Sequence, residues 1–217
     1  MTIAQRLDQI RSSIPEYVNL VAVSKTKPVS DLMEAYQAGH RVFGENKVQE
    51  MVEKETEMPK DVEWHMIGHV QRNKVKYMAS FVSMIHALDS IRLLEEINKQ
   101  AMKHDRVINC LLQIKIATED SKFGMTKNEA QSLLNSEAYS ECANVNIVGL
   151  MGMATFTDNK EQLKSEFDYL KKCYLDFKKE QPIFNTLSMG MSSDYEIAIA
   201  SGSNMIRVGS SIFGSRN

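Results

Sequence analysis

Eight short apolar runs, separated by segments of helical period, constrain this 217-residue chain more than any other feature. They fall at 19–24, 41–44, 63–68, 83–88, 109–117, 146–154, 183–188 and 205–208. Several, such as Leu20-Val21-Ala22-Val23 and Cys110-Leu111-Leu112-Gln113-Ile114, are apolar at successive positions, the pattern of strands covered on both faces. Between them, Leu163, Phe167, Leu170, Tyr174 and Phe177 form a helical stripe on an otherwise charged segment. Ile3, Leu7, Ile10 and Ile14 form another ahead of the first run. Thr126-Lys127-Asn128-Glu129 reads as a capping box before Ala130, Leu133 and Leu134, and Asp158 with Glu161 as a similar start to the long helix. Strand-helix alternation implies a parallel sheet with right-handed crossovers. Eight such units favour a closed (β/α)8 TIM barrel, here with an extra N-terminal helix, over an open doubly wound sheet. A barrel of this kind usually takes about 250 residues. The expectation is therefore one domain, 1–217, with no room for a second.

Composition narrows the function classes. With 43% apolar and 25% charged residues and a net charge of −2, the chain is an ordinary globular sequence with no electrostatic reason to bind nucleic acid or an anionic membrane. Only 10 Gly and 4 Pro argue against long linkers. There is no apolar run of about 18 residues, so no membrane span is expected. The first residues carry an acid and no apolar signal core. Cys110, Cys142 and Cys173 form no CxxC pair and are expected to be reduced, packed thiols in the cytoplasm.

In a barrel of this type the chemistry sits at the carboxyl ends of the strands. In order, those ends carry Lys25, Asn46, His69, the stretch after Ala117, Met153 with Ala154, 188–192 and 207–211. Lys25 follows four apolar residues and Ser24, where desolvation lowers an amine's pKa and exposes a nucleophile. By position alone a solvated strand-end lysine is the commoner case. Lys27 shares its direction but precedes Pro28 and belongs further out in the loop. Gly190-Met191-Ser192-Ser193-Asp194 and Gly209-Ser210-Ser211 read as a phosphate site or as two Gly/Ser turns. Backbone amides, hydroxyls and a helix N-terminus favour the anion modestly. Arg207, between Ile206 and Val208, needs a buried partner, either a ligand acceptor or a structural carboxylate. His65 and His69 are read as packing or loop hydrogen bonding, not as a metal pair. The methionines Met151, Met153, Met189 and Met191 are read as adaptable packing. No GxGxxG, Walker A, GxSxG or HExxH sequence occurs.

Five blocks, in order along the whole chain, resemble the pyridoxal phosphate homeostasis protein family, whose barrel is that of the alanine racemase N-terminal domain. They are Ala22-Val23-Ser24-Lys25-Thr26-Lys27-Pro28, Phe43-Gly44-Glu45-Asn46 with Gln49-Glu50, Trp64-His65-Met66-Ile67-Gly68, Leu187-Ser188-Met189-Gly190-Met191-Ser192, and Arg207-Val208-Gly209-Ser210-Ser211-Ile212-Phe213-Gly214. The resemblance implies that pyridoxal 5′-phosphate (PLP) forms a Schiff base with Lys25 and that Arg207 faces its pyridine nitrogen. It also implies that Ser192, Gly209 and Ser210 hold the phosphate, with Ser188 and Asn46 close by. Ser210 stands where the family often has Thr and keeps the hydroxyl. His69-Val70 departs from the family's usual pair, and these two positions are assigned no role.

The same resemblance implies a carrier. PLP promotes amino-acid chemistry when its ring nitrogen is protonated. An arginine about 4 Å away, at an effective dielectric of about 20, opposes that proton by roughly 4 kcal/mol, or about three pKa units. Racemases of the related fold add an acid-base residue from a second domain and a second subunit, which 217 residues do not accommodate. The expected protein is thus a monomeric, cytoplasmic PLP carrier or buffer that passes the cofactor to apo-enzymes. The alternatives are a minimal PLP-dependent racemase or decarboxylase, and a PLP-free aldolase using Lys25.

Overall fold

The computed structural model describes residues 1–118 and 123–214. The apolar runs pair side by side in chain order, every pair parallel, and the first closes on the last. The strands are β1 (Asn19–Val23), β2 (Val42–Glu45), β3 (Glu63–Met66), β4 (Met84–Leu88), β5 (Ile108–Gln113), β6 (Val145–Met151), β7 (Thr186–Ser188) and β8 (Met205–Val208). This is the (β/α)8 barrel expected from the alternation.

Around it run α1 (Ile3–Ser13), α2 (Val29–Gln37), α3 (Val48–Glu57), α4 (Ile91–Met102), α5 (Lys127–Leu134), α6 (Glu137–Ser140), α7 (Lys160–Glu180), α8 (Tyr195–Ala200) and α9 (Ser210–Phe213). The connection after β3 is a single 3₁₀ stretch, Arg72–Tyr77. The extra helix α1 buries Ile3, Leu7 and Ile10, and its capping box joins Thr2 to Gln5. Arg6 ties it to the last helix by donating from Nε to the Ile212 carbonyl at 2.5 Å.

The strands sort their side chains by the two-residue period into two apolar sets. Leu20 and Ala22 of β1 and Ile206 and Val208 of β8 face the helices in the larger core. Val21, Met84, Leu111, Val148 and Met205 fill the barrel's interior. The helical stripe of α7 is buried as its spacing predicts, at Leu163, Phe167, Leu170, Tyr174 and Phe177.

Several boundaries differ from the sequence reading. The apolar runs at 63–68, 109–117 and 146–154 leave the ladder at Met66, Gln113 and Met151, and 183–188 enters it only at Thr186. A strand lasts only while both neighbours accept its hydrogen bonds, and β7 meets β8 at a single register pair, Ser188 with Met205. Ile114 and Ile116 remain buried beyond the end of β5, where they join the larger core. The cap of α7 is Asn159, whose side chain accepts from the Glu161 and Gln162 amides, not Asp158. Because α7 begins at Lys160, only residue 159 stands in the capping position. The Thr126 to Glu129 capping box of α5 forms as expected.

Candidate cofactor-binding site

The two-residue period carries Val21, Val23 and Lys25 to one side of β1. Val21 packs inside the barrel, while Val23 and Lys25 line a cavity of about 570 Å³ at the strands' carboxyl ends. Met205 and Arg207 follow the same course on β8, the first in the inner core and the second facing the cavity. Asn46 enters from the residue after β2, and Ser192, Ser193, Gly209 and Ser210 from the turns after β7 and β8. Lys25, Asn46, Ser192, Arg207, Gly209 and Ser210 therefore share one cavity.

Ser188 does not face that cavity. It lies fully buried below Arg207. Arg207 Nη1 donates to Ser188 Oγ at 2.6 Å, and its Nη2 to the Gly152 carbonyl at 3.0 Å. A guanidinium has no acceptor, so the Ser188 hydroxyl is left to donate to His86 Nδ1, 3.3 Å away. His86 Nε2 then carries the proton and donates to His65 Nδ1 at 3.0 Å. This order holds both rings neutral. Burial pushes the His65 imidazole down to about 4 and His86 well below its usual 6.5.

Arg207 is 4% exposed, and no carboxylate of the described residues lies within ion-pair distance of it. Desolvation lowers its pKa to about 10, partly countered by the charge of Asp194. Asp194 is itself buried, and its carboxylate accepts from the Met191 amide at 2.5 Å. Of the two partners open to Arg207 on sequence grounds, the structural carboxylate at contact distance is thus not what it has among the described residues. Its cation meets neutral groups and the cavity.

The two Gly/Ser turns are joined, because the Gly209 amide donates to Ser192 Oγ at 3.1 Å. Gly209 itself passes close to β1, where a Cβ would lie 3.1 Å from the Val23 carbonyl oxygen. Gly190 adopts φ +98°, and a Cβ there would stand 2.7 Å from Ala198 Cβ. The helices that follow, α8 and α9, have only six and four residues, so hydroxyls and loop amides outweigh any helix dipole as anion donors. Lys27, expected further out, reaches the rim and donates to the Phe213 carbonyl at 3.1 Å. His69 pairs with Asp89 at 3.1 Å and stacks on Phe123, a loop role as anticipated. No group of three or more metal-ligating side chains occurs among the described residues.

Gln113, Phe123, Met153, Phe156 and His69 are also on the cavity wall. Sequence reasoning passed over Gln113 and His86, although each is a polar residue within an apolar strand. Gln113 is buried and donates to the Phe123 carbonyl at 2.9 Å, holding the loop after β5. The expectation for the stretch after Ala117 falls largely on 119–122, outside the described residues.

The donor set suits a phosphorylated aldehyde with a ring acceptor. A lysine amine, a buried cation turned to the cavity and a hydroxyl-rich double turn lie on its wall. Glycine backbone at Gly209 sits where a side chain would crowd β1. PLP presents the matching anion, carbonyl and pyridine nitrogen, so the residues present fit it.

Comparison with known proteins agrees. A family model described as alanine racemase, N-terminal domain, matches residues 1–217. The pyridoxal phosphate homeostasis protein of Vibrio alginolyticus is 36% identical over 231 residues, covering 100% of this chain and 98% of that one. The protein of that name from Escherichia coli (strain K12) is 37% identical over 232 residues, with 99% and 97% covered. The structure of PipY from Synechococcus elongatus PCC7942 with PLP bound superposes with a TM-score of 0.89 at 34% identity, covering 98% of this chain and 100% of PipY.

Proposed function

This chain belongs to the pyridoxal phosphate homeostasis family, built on the alanine racemase N-terminal domain, and from that membership we propose that it holds PLP as a Schiff base on Lys25 and carries or buffers the cofactor without substantial turnover. The observation that carries this reading is the shared cavity: Lys25, the buried Arg207 and the joined turns of Ser192 and Gly209 all line it. PipY, with PLP bound on a barrel of the same shape, supports it.

Bound PLP supplies an aldehyde for the lysine and a ring that serves as an electron sink only when its nitrogen is protonated. The chain's residues decide the rest. Lys25 offers the amine, with Asn46 on the same wall. Ser192 and Ser210 supply hydroxyls for the phosphate, and Gly209 lets backbone approach it. Arg207 is held from behind by Ser188 and Gly152 and presents a donor that cannot shed its proton. Arg207 would hold a ring nitrogen placed against it as an acceptor and oppose its protonation, which would weaken carbanion chemistry. The three buried, unpaired cysteines suit a reducing cytoplasm, where a monomer would deliver PLP to apo-enzymes.

The test is an absorption spectrum of the purified protein with PLP, before and after Lys25→Ala, with borohydride reduction and peptide mapping. The expected result is a visible Schiff-base band, lost in the variant, with the reduced adduct on Lys25. Amino acids should be turned over negligibly while PLP passes to an added apo-enzyme. Robust racemisation or decarboxylation that disappears with Lys25→Ala would refute the carrier role, and an adduct on another lysine would refute the site.

A further inference from the structure

The β2–α3 unit contributes three side chains that cofactor binding does not employ: Glu45, Glu50 and Lys54. Lys54 is buried, and its ammonium donates to Glu45 Oε1 at 2.7 Å, Glu50 Oε1 at 2.8 Å and the Ser24 carbonyl at 2.7 Å. These three bonds use every proton it has. Ser24 also donates its hydroxyl to Glu45 Oε1 at 2.6 Å. On the other side of Lys25, the Thr26 amide donates to Glu50 Oε1 at 2.5 Å. Both residues flanking Lys25 are therefore gripped by one neighbouring unit.

The grip falls where the barrel's own restraints end. The last ladder bond of β1 runs from the Ser24 amide to the Gly44 carbonyl at 3.0 Å. Two residues later Thr26 takes φ 63°, a left-handed conformation that a β-branched side chain disfavours. An isolated loop would relax this residue to negative φ and swing the chain on either side of it. A carboxylate accepting from its amide is a strong, charge-assisted restraint against that change. Glu50 sits in the first turn of α3 and is anchored four residues on by Lys54, itself fixed in the core.

We infer that Glu50 is a positioning residue for Lys25: it clasps the Thr26 amide in the left-handed conformation that directs the Lys25 amine into the cavity, with Lys54 and Glu45 as its anchor. This rests on the reading of Lys25 as the residue that captures PLP. Glu50 touches the loop and not the ligand, so its removal weakens covalent capture and spares binding of a ligand that forms no bond to Lys25.

Full-length wild type, Glu50→Ala and Glu50→Asp are titrated with PLP, following the visible band, the rate of its appearance and the borohydride-fixed adduct on Lys25. Pyridoxine 5′-phosphate, which has the same ring and phosphate but no aldehyde, is titrated by calorimetry. Glu50→Asp keeps the charge near Lys54 but is one methylene too short to reach Thr26 as well, and it serves if the alanine variant does not fold. The expected result is capture about ten-fold or more weaker and slower in the variants, the order of one charge-assisted hydrogen bond. Pyridoxine phosphate affinity should stay within about two-fold. Capture at the wild-type rate, or equal weakening of both ligands, overturns the inference. Were wild type itself to form no adduct on Lys25, the parent reading would fall with it. A normal wild-type adduct left intact in the variants would remove the clasp alone.

Discussion

Single polar residues inside apolar strands are the strongest pointers to this site. Lys25 and Arg207 stand out in sequence because a charge there demands compensation, and both reach the cavity. His86 within β4, Gln113 at the end of β5 and Glu45 at the end of β2 carry the same signal, and all three are buried in hydrogen-bonded roles. What a linear reading lacks is the partner. Ser188 was expected beside the cofactor, yet its hydroxyl links Arg207 to His86 one layer down. Only the juxtaposition of β4, β7 and β8 shows that. Ser192 has two duties, lining the cavity and accepting the Gly209 amide. Ser192→Ala should therefore cost about 1 kcal/mol of stability and weaken PLP binding by roughly ten-fold. Denaturant titration and PLP titration check the two effects separately, and a variant that binds PLP as wild type does would remove Ser192 from the phosphate site.

Secondary-structure elements were legible in type and less so in extent. Type follows from periodicity, which survives in any context. Extent depends on neighbours. The run at 109–117 stays apolar past Gln113 because Ile114 and Ile116 are buried in the larger core, while the pairing with β6 adds only one more bond, from the Ile114 amide to the Met151 carbonyl. Helix starts depend on one residue's position. Asn159 caps α7 through two amides, so Asn159→Ala should destabilise the protein by about 1 kcal/mol, whereas Asp158→Ala should be nearly neutral. Urea midpoints of the two variants measure this, and the reverse ranking would mean that α7 begins one residue earlier.

The closed barrel imposes a pH dependence that no one element predicts. Burial lowers His40 and His65 to about 4 and His86 well below its usual 6.5, so the folded protein keeps all three neutral while the unfolded chain protonates them below 6.5. The unfolded state then binds more protons, and stability is complete above pH 6.5 and lost as pH falls toward 4. His40 alone accounts for on the order of 3 kcal/mol across that window. Glu45 and Asp194, raised by burial, act in the opposite sense and temper the loss at its acidic end. Urea midpoints should drop clearly from pH 7.5 to pH 5, and a flat profile would show that these histidines are hydrated. The barrel and the candidate lysine and arginine were readable from residue order, because periodicity and misplaced charge are local properties. Tertiary structure alone decided which polar groups meet: the Arg207–Ser188–His86–His65 chain and the clasp on Thr26 join residues far apart in sequence. Hydrogen bonds need atoms within about 3 Å, and that proximity exists only once the strands have closed on one another.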